Sequence, residues 1–160
     1  MRIYLVRHGI AEEPSFNKND SARELTMEGI QKMHSIGKGF AGLNPEIGLI
    51  ISSPYIRAKQ TAAILAEEIS FKSNIGFDKR LVPSAGFDEF SELLSENTQQ
   101  SGVMFVGHEP SMSSFVSGLC ADHALRLEFK KGAICCIEII HSWAARGELL
   151  WYAPPQILIR

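Results

Sequence analysis

Three short, wholly apolar runs constrain the fold of this chain more than any other feature, because each ends abruptly in a polar cluster. Ile3 to Val6 closes on Arg7-His8-Gly9, Leu49 to Ile51 on Ser52-Ser53, and Val103 to Val106 on Gly107-His108. Such runs read as buried strands. Helical patterns lie between them. Thr26 is placed as the N-cap of a helix reaching about Phe40, with Ile30, Met33, Ile36 and Gly37 on one face. Ser53-Pro54 reads as a second helix start, serine as N-cap and proline in the first position, with the helix finishing near Ser70. Phe87, Phe90, Leu93 and Leu94 form a core-facing stripe from Phe87 to Ser95, and a further helix runs from Ser111 to Leu119. Weaker strand signals fall at Gly76 to Leu81, Ala133 to Ile140 and Leu149 to Tyr152, and Glu12 to Ala22 is a polar loop. Strands alternating with helices define an α/β class: a three-layer sandwich with a mostly parallel central sheet.

The 160 residues suit one domain, expected to span 1–160, with no internal repeat or low-complexity segment. Sixteen Lys and Arg against eighteen Asp and Glu give a formal net charge of -2, so no global field favours nucleic acid as a partner. Cys120, Cys135 and Cys136 cannot form a paired framework, and the adjacent pair would point to opposite faces of a strand as small apolar fillers. The N-terminus enters a strand-like run with no basic segment and cleavage site, and no run approaches the ~20 apolar residues of a membrane span. The expectation is a cytoplasmic chain without a membrane partner.

In parallel α/β sheets, ligands bind beyond the carboxyl ends of the strands. That rule brings Arg7, His8, Arg57 and His108 to one edge. Two arginines beside two histidines suit a tetrahedral oxyanion, since guanidinium is planar and permanently charged. A divalent cation is disfavoured there, because neither motif supplies a carboxylate or thiolate to offset the guanidiniums. Neutral imidazole is also a usable nucleophile towards phosphorus. One ring nitrogen must face the phosphorus while an acceptor, such as a backbone carbonyl near Gly9, holds the other.

These motifs resemble the histidine phosphatase superfamily, with its phosphoglycerate mutase-like fold, and most of all its short SixA-type phosphohistidine phosphatases. The resemblance rests on Arg7-His8-Gly9, Arg23 with Leu25-Thr26 and Gly29, Ser52-Ser53-Pro54 with Arg57-Ala58 and Gln60-Thr61-Ala62, Gly107-His108-Glu109-Pro110, and Lys131-Gly132-Ala133. It implies that His8 is the phosphorylated residue and that Arg7, Arg57 and His108 complete the phosphate pocket. Arg23 matches an arginine near the pocket entrance, although it could instead pair with Glu24 or Glu28. The resemblance further implies an enzyme needing no metal and no cofactor.

Many superfamily members carry a carboxylate between the second arginine and the second histidine to protonate the leaving group. Here Asp78, Asp88, Glu89, Glu92 and Glu96 fall in that region and no motif selects one, so the proton donor stays open. An imidazole leaving group can be protonated on its own nitrogen, which makes phosphohistidine an intelligible substrate. The leading reading is a phosphatase acting on phosphohistidine of a signalling or phosphocarrier protein. A small-molecule phosphomonoesterase, a mutase and a non-catalytic phosphoprotein-binding module are the alternatives. Glu109 reads equally as a site residue or an exposed helix start, and His34, His123 and His141 sit in no comparable motif.

Overall fold

Strand β1 (Arg2–Arg7) lies inside the sheet, and the rest of the architecture is arranged around it. In a computed structural model that describes residues 1–141 and 144–159, six strands pair in the order β3-β2-β4-β1-β5-β6. The others are β2 (Leu49–Ser52), β3 (Gly76–Phe77), β4 (Gly102–Gly107), β5 (Ile134–His141) and β6 (Arg146–Ala153). Strands β1 to β4 are mutually parallel, whereas β5 and β6 add antiparallel on one side. The register sets Arg7 opposite Gly107 and Ser52 opposite Val106, so three polar clusters emerge at one edge.

Alternation along the strands builds two cores. Ile3, Leu5, Val103 and Phe105 pack against α3 (Phe87–Ser95) and α4 (Ser111–Ala121), where Phe90 stacks on Phe115 with ring centroids 4.2 Å apart. Tyr4, Val6, Met104 and Val106 face α1 (Met27–Ala41), α2 (Ile56–Glu68) and α5 (Pro155–Leu158). Cys135 joins the first core and Cys136 the second, as neighbours on a pleated strand must. Helices on both faces of one sheet make the expected three-layer α/β sandwich. No helix among the described residues is long and apolar enough to cross a membrane.

Thr26 caps α1 as its sequence suggests, its Oγ1 accepting from Gly29 N at 3.0 Å. Ser53 does not cap α2. That helix begins at Ile56 with Tyr55 in the cap position, because the Ser53 hydroxyl is taken by Tyr55 N and by His108. The strand expected over Gly76 to Leu81 stops at Phe77, since Asp78 Oδ1 accepts from Arg80 N and turns the chain into a 3₁₀ helix at Lys79–Leu81.

The first turn of α1 lies directly against the chain that follows His8. Thr26 N donates to Ile10 O at 3.0 Å, and a Cβ on Gly29 would run into that same carbonyl. Gly29→Ala must therefore push α1 away from the 8–10 turn. It should destabilise the fold by about 2 kcal/mol, read as a lowered urea midpoint with an unchanged slope.

Candidate active site

The backbone around His8 is fixed from three directions. His8 N donates to Gly107 O at 3.0 Å and Arg7 N to Ala133 O at 3.2 Å. Gly132 N reaches back to Arg7 O and His8 O at 3.0 and 3.1 Å, from a left-handed conformation with φ of 79°. That φ suits glycine, which explains its place between Lys131 and Ala133. Gly9 N donates to Thr61 Oγ1 at 3.1 Å, and Thr61 Oγ1 donates to Arg57 O at 2.7 Å, coupling the turn to α2.

The His8 ring is held with equal care. Its Nδ1 lies 2.7 Å from Gly9 O, an acceptor only, so Nδ1 carries the proton. Nε2 then bears the lone pair and accepts from Arg57 Nε at 3.2 Å. The His108 ring stands 5.0 Å away, with its Nε2 2.8 Å from Ser53 Oγ. Ser53 Oγ also accepts from Tyr55 N, so one hydroxyl links the His108 ring to the backbone that leads into α2. Among the described residues, His108 Nδ1 and Arg7 Nε have no protein hydrogen-bond partner although both are buried. Arg7 is anchored through Nη1 to Phe129 O at 2.7 Å.

Burial keeps both imidazoles neutral. His8 is pushed down to about 3, chiefly by burial, with Arg57, Arg7 and Lys131 adding to it against the opposing bond to Gly9. His108 is pushed down to about 2 by burial first, then by His8 and Arg57. The arginines are also lowered by burial, but a guanidinium remains charged.

Arg7, His8, Arg23, Arg57 and His108 all line one cleft of about 400 Å³, together with Glu13, Pro14, Asp20, Pro83, Glu109 and Lys131. Every site residue singled out in the sequence is therefore at this cleft. Arg23 pairs with neither Glu24 nor Glu28: its Nη1 donates to Glu12 O at 2.6 Å and its Nε to Asp20 Oδ1 at 2.9 Å. The suggested acids are elsewhere. Asp78 and Glu96 both bind Arg80, Glu89 binds Gly86 N, and none of these three, nor Asp88 or Glu92, lines the cleft. The cleft carboxylates are Glu13, Asp20 and Glu109, and Glu109 accepts from Ser113 N and Oγ at 2.8 Å each. The sequence assigns Asp20 no role, whereas Ser53, which reads there as a helix cap, and Thr61, which reads only as part of the motif, hold His108 and Gly9. Among the described residues, no group of three or more His, Cys, Asp or Glu could hold a metal ion.

A neutral, tautomerically fixed imidazole beside guanidiniums can attack phosphorus and have the phosphoryl oxygens met by fixed donors. Residues 3–82 match the model of the histidine phosphatase superfamily (branch 1), and the chain belongs to that superfamily. Within it, the chain is similar to phosphohistidine phosphatase SixA of Escherichia coli (strain K12), 25% identical over 157 residues covering 97% of this chain and 94% of that protein. The structure of the protein histidine phosphatase SixA complexed with tungstate superposes with a TM-score of 0.87 at 24% identity, covering 98% of both chains. Phosphoglycerate mutase from Bacillus anthracis str. Sterne gives a TM-score of 0.73 at 12% identity, covering 98% of this chain and 94% of that one. The two superpositions establish a shared phosphoglycerate mutase-like fold.

The histidine environment predicts how stability depends on pH. Both folded values lie below the ~6.5 of an unfolded histidine, so on acidification the unfolded chain binds protons that the native state refuses. The stabilisation is complete above about pH 6.5 and is lost as pH falls towards the folded values near 3 and 2. Urea denaturation at pH 7 and pH 5 should show this loss, and His108→Gln should flatten it.

Proposed function

We propose that the protein is a metal-independent phosphatase that carries a phosphoryl group through His8 and takes it from phosphohistidine on a partner protein. The observation that carries the reading is the clamped ring of His8. Gly9 O holds Nδ1–H, and the Nε2 lone pair faces the guanidinium of Arg57 at the cleft. Attack by Nε2 on phosphorus forms the new N–P bond as the bond to the departing imidazole breaks. That imidazole is protonated by solvent on its distal nitrogen, so it leaves as the neutral ring. Arg57 Nε–H, released from the lone pair as it is used, passes to a phosphoryl oxygen. Arg7 Nε–H supplies a further donor, as does His108 Nδ1 in the tautomer in which Nε2 accepts from Ser53 Oγ, and water then hydrolyses phospho-His8 to orthophosphate. No carboxylate is required for this leaving group. Both oxygens of Glu109 already accept hydrogen bonds from Ser113. The similarity to SixA, named a phosphohistidine phosphatase, supports the same substrate class.

Rapid-quench trapping with a labelled phosphodonor tests the intermediate: acid-labile label is expected on the wild type and none on His8→Ala. Label at wild-type level on that variant removes His8 from the mechanism. Arg57→Ala should lose about 3 kcal/mol of transition-state stabilisation, roughly a hundredfold in kcat/KM. Comparing a phosphohistidine protein with sugar phosphates and nucleotides tests the substrate class, and a strong preference for a metabolite would displace it.

A further inference from the structure

The carboxylate of Asp20 joins two guanidiniums that reach the cleft from different parts of the chain. Its Oδ1 accepts from Arg23 Nε at 2.9 Å and lies 2.8 Å from Arg23 Nη2. Its Oδ2 accepts from Arg57 Nη2 at 3.0 Å, while the Asp20 backbone oxygen accepts from Arg57 Nη1 at 2.7 Å. Arg57 thus has Nε on His8 and both terminal nitrogens on Asp20.

Stapling the loop accounts for half of this arrangement. The pair with Arg23 spans three residues and would fix the short 3₁₀ turn at Asp20–Ala22 unaided. Oδ2, however, leaves that turn for a guanidinium 37 residues away that is only 2% exposed. The Asp20 side chain itself is 51% exposed, so apolar packing does not place it there. Two adjacent guanidiniums repel, and an anion between them makes their approach favourable. In a phosphate site the ligand supplies such an anion. Here the chain brings its own. Burial alone would raise the Asp20 carboxyl, but the hydrogen bonds from Arg23 and Arg57 outweigh it and hold it below the usual carboxylate range. It is anionic at neutral pH.

We propose that Asp20 is a built-in counter-anion that competes with phosphate for the donors of Arg57 and Arg23, weakening the hold of the site on free orthophosphate and so limiting product inhibition. This rests on the reading of the cleft as a phosphoryl pocket. Asp20 is a positioning residue that acts through the two arginines. Its backbone oxygen keeps Arg57 oriented, while its carboxylate yields donors to an incoming phosphoryl group and recovers them once orthophosphate is free to leave.

Asp20→Asn keeps the backbone oxygen and the side-chain shape and removes the charge. Calorimetric titration of the full chain with orthophosphate, repeated with vanadate, should show the variant binding on the order of fivefold more tightly than wild type. The orthophosphate inhibition constant, measured against hydrolysis of an activated aryl phosphate, should fall in parallel. Asp20→Ser should shift affinity in the same direction. A loop staple alone would leave anion affinity unchanged or weaken it in both variants, and that result overturns the proposal. Wild-type protein that binds neither anion would instead remove the phosphoryl-pocket reading itself, and this inference with it.

Discussion

The hydrogen bond from Arg57 Nε to His8 Nε2 ties the chemistry of this protein to its fold. A guanidinium almost wholly withdrawn from water has to find acceptors, and the structure gives it an imidazole lone pair, a backbone carbonyl and a carboxylate. The same contact forbids a proton on Nε2, because two donors cannot share the position. Burial and neighbouring positive charge then act together to keep His8 neutral. Neutrality of His8 therefore follows chiefly from its burial, with the housed α2 cation adding to it.

The residues that surround this contact divide by sign. Cationic groups come from the end of β1, from α2 and from the loop before β5, and the carboxylates of Asp20 and Glu109 are each occupied by hydrogen-bond donors. Such a cleft can gather anionic oxygens. Under the proposed function, imidazole suits it as a leaving group because its distal nitrogen can be protonated before the N–P bond breaks.

Much of this was legible in the linear sequence, for identifiable reasons. Arg7, His8 and His108 stand at the ends of apolar runs, so strand burial and the parallel-sheet rule were enough to bring them together. Arg57 follows from the motif around Ser53-Pro54, although the helix there starts later than that dipeptide suggests. Ser-Pro carries a local preference for helix initiation, but the Ser53 hydroxyl serves a histidine 55 residues away. Asp20 was illegible for a related reason. It lies in a polar loop without periodicity, and its partner Arg57 is brought to it only by the docking of α2 beside that loop. The acids between Asp78 and Glu96 could not be told apart in the sequence, because composition places carboxylates in a segment without revealing that Arg80 already binds two of them.

The loop that precedes β5 gives the site a particular order of assembly. Gly132 N is bonded to the carbonyls of Arg7 and His8, and Phe129 O anchors the Arg7 guanidinium. These contacts join the first residues of the chain to some of the last, across a separation of 122 residues for Arg7 and Phe129. During synthesis, β1 emerges long before the segment that braces its end. A nascent chain can hold His8, Arg57 and His108 and still lack the brace that fixes Arg7, because such long-range contacts form only after the intervening chain is available. A chain interrupted before Phe129 would carry His8, Arg57 and His108 without the contacts that fix the Arg7 guanidinium and the carbonyls of Arg7 and His8.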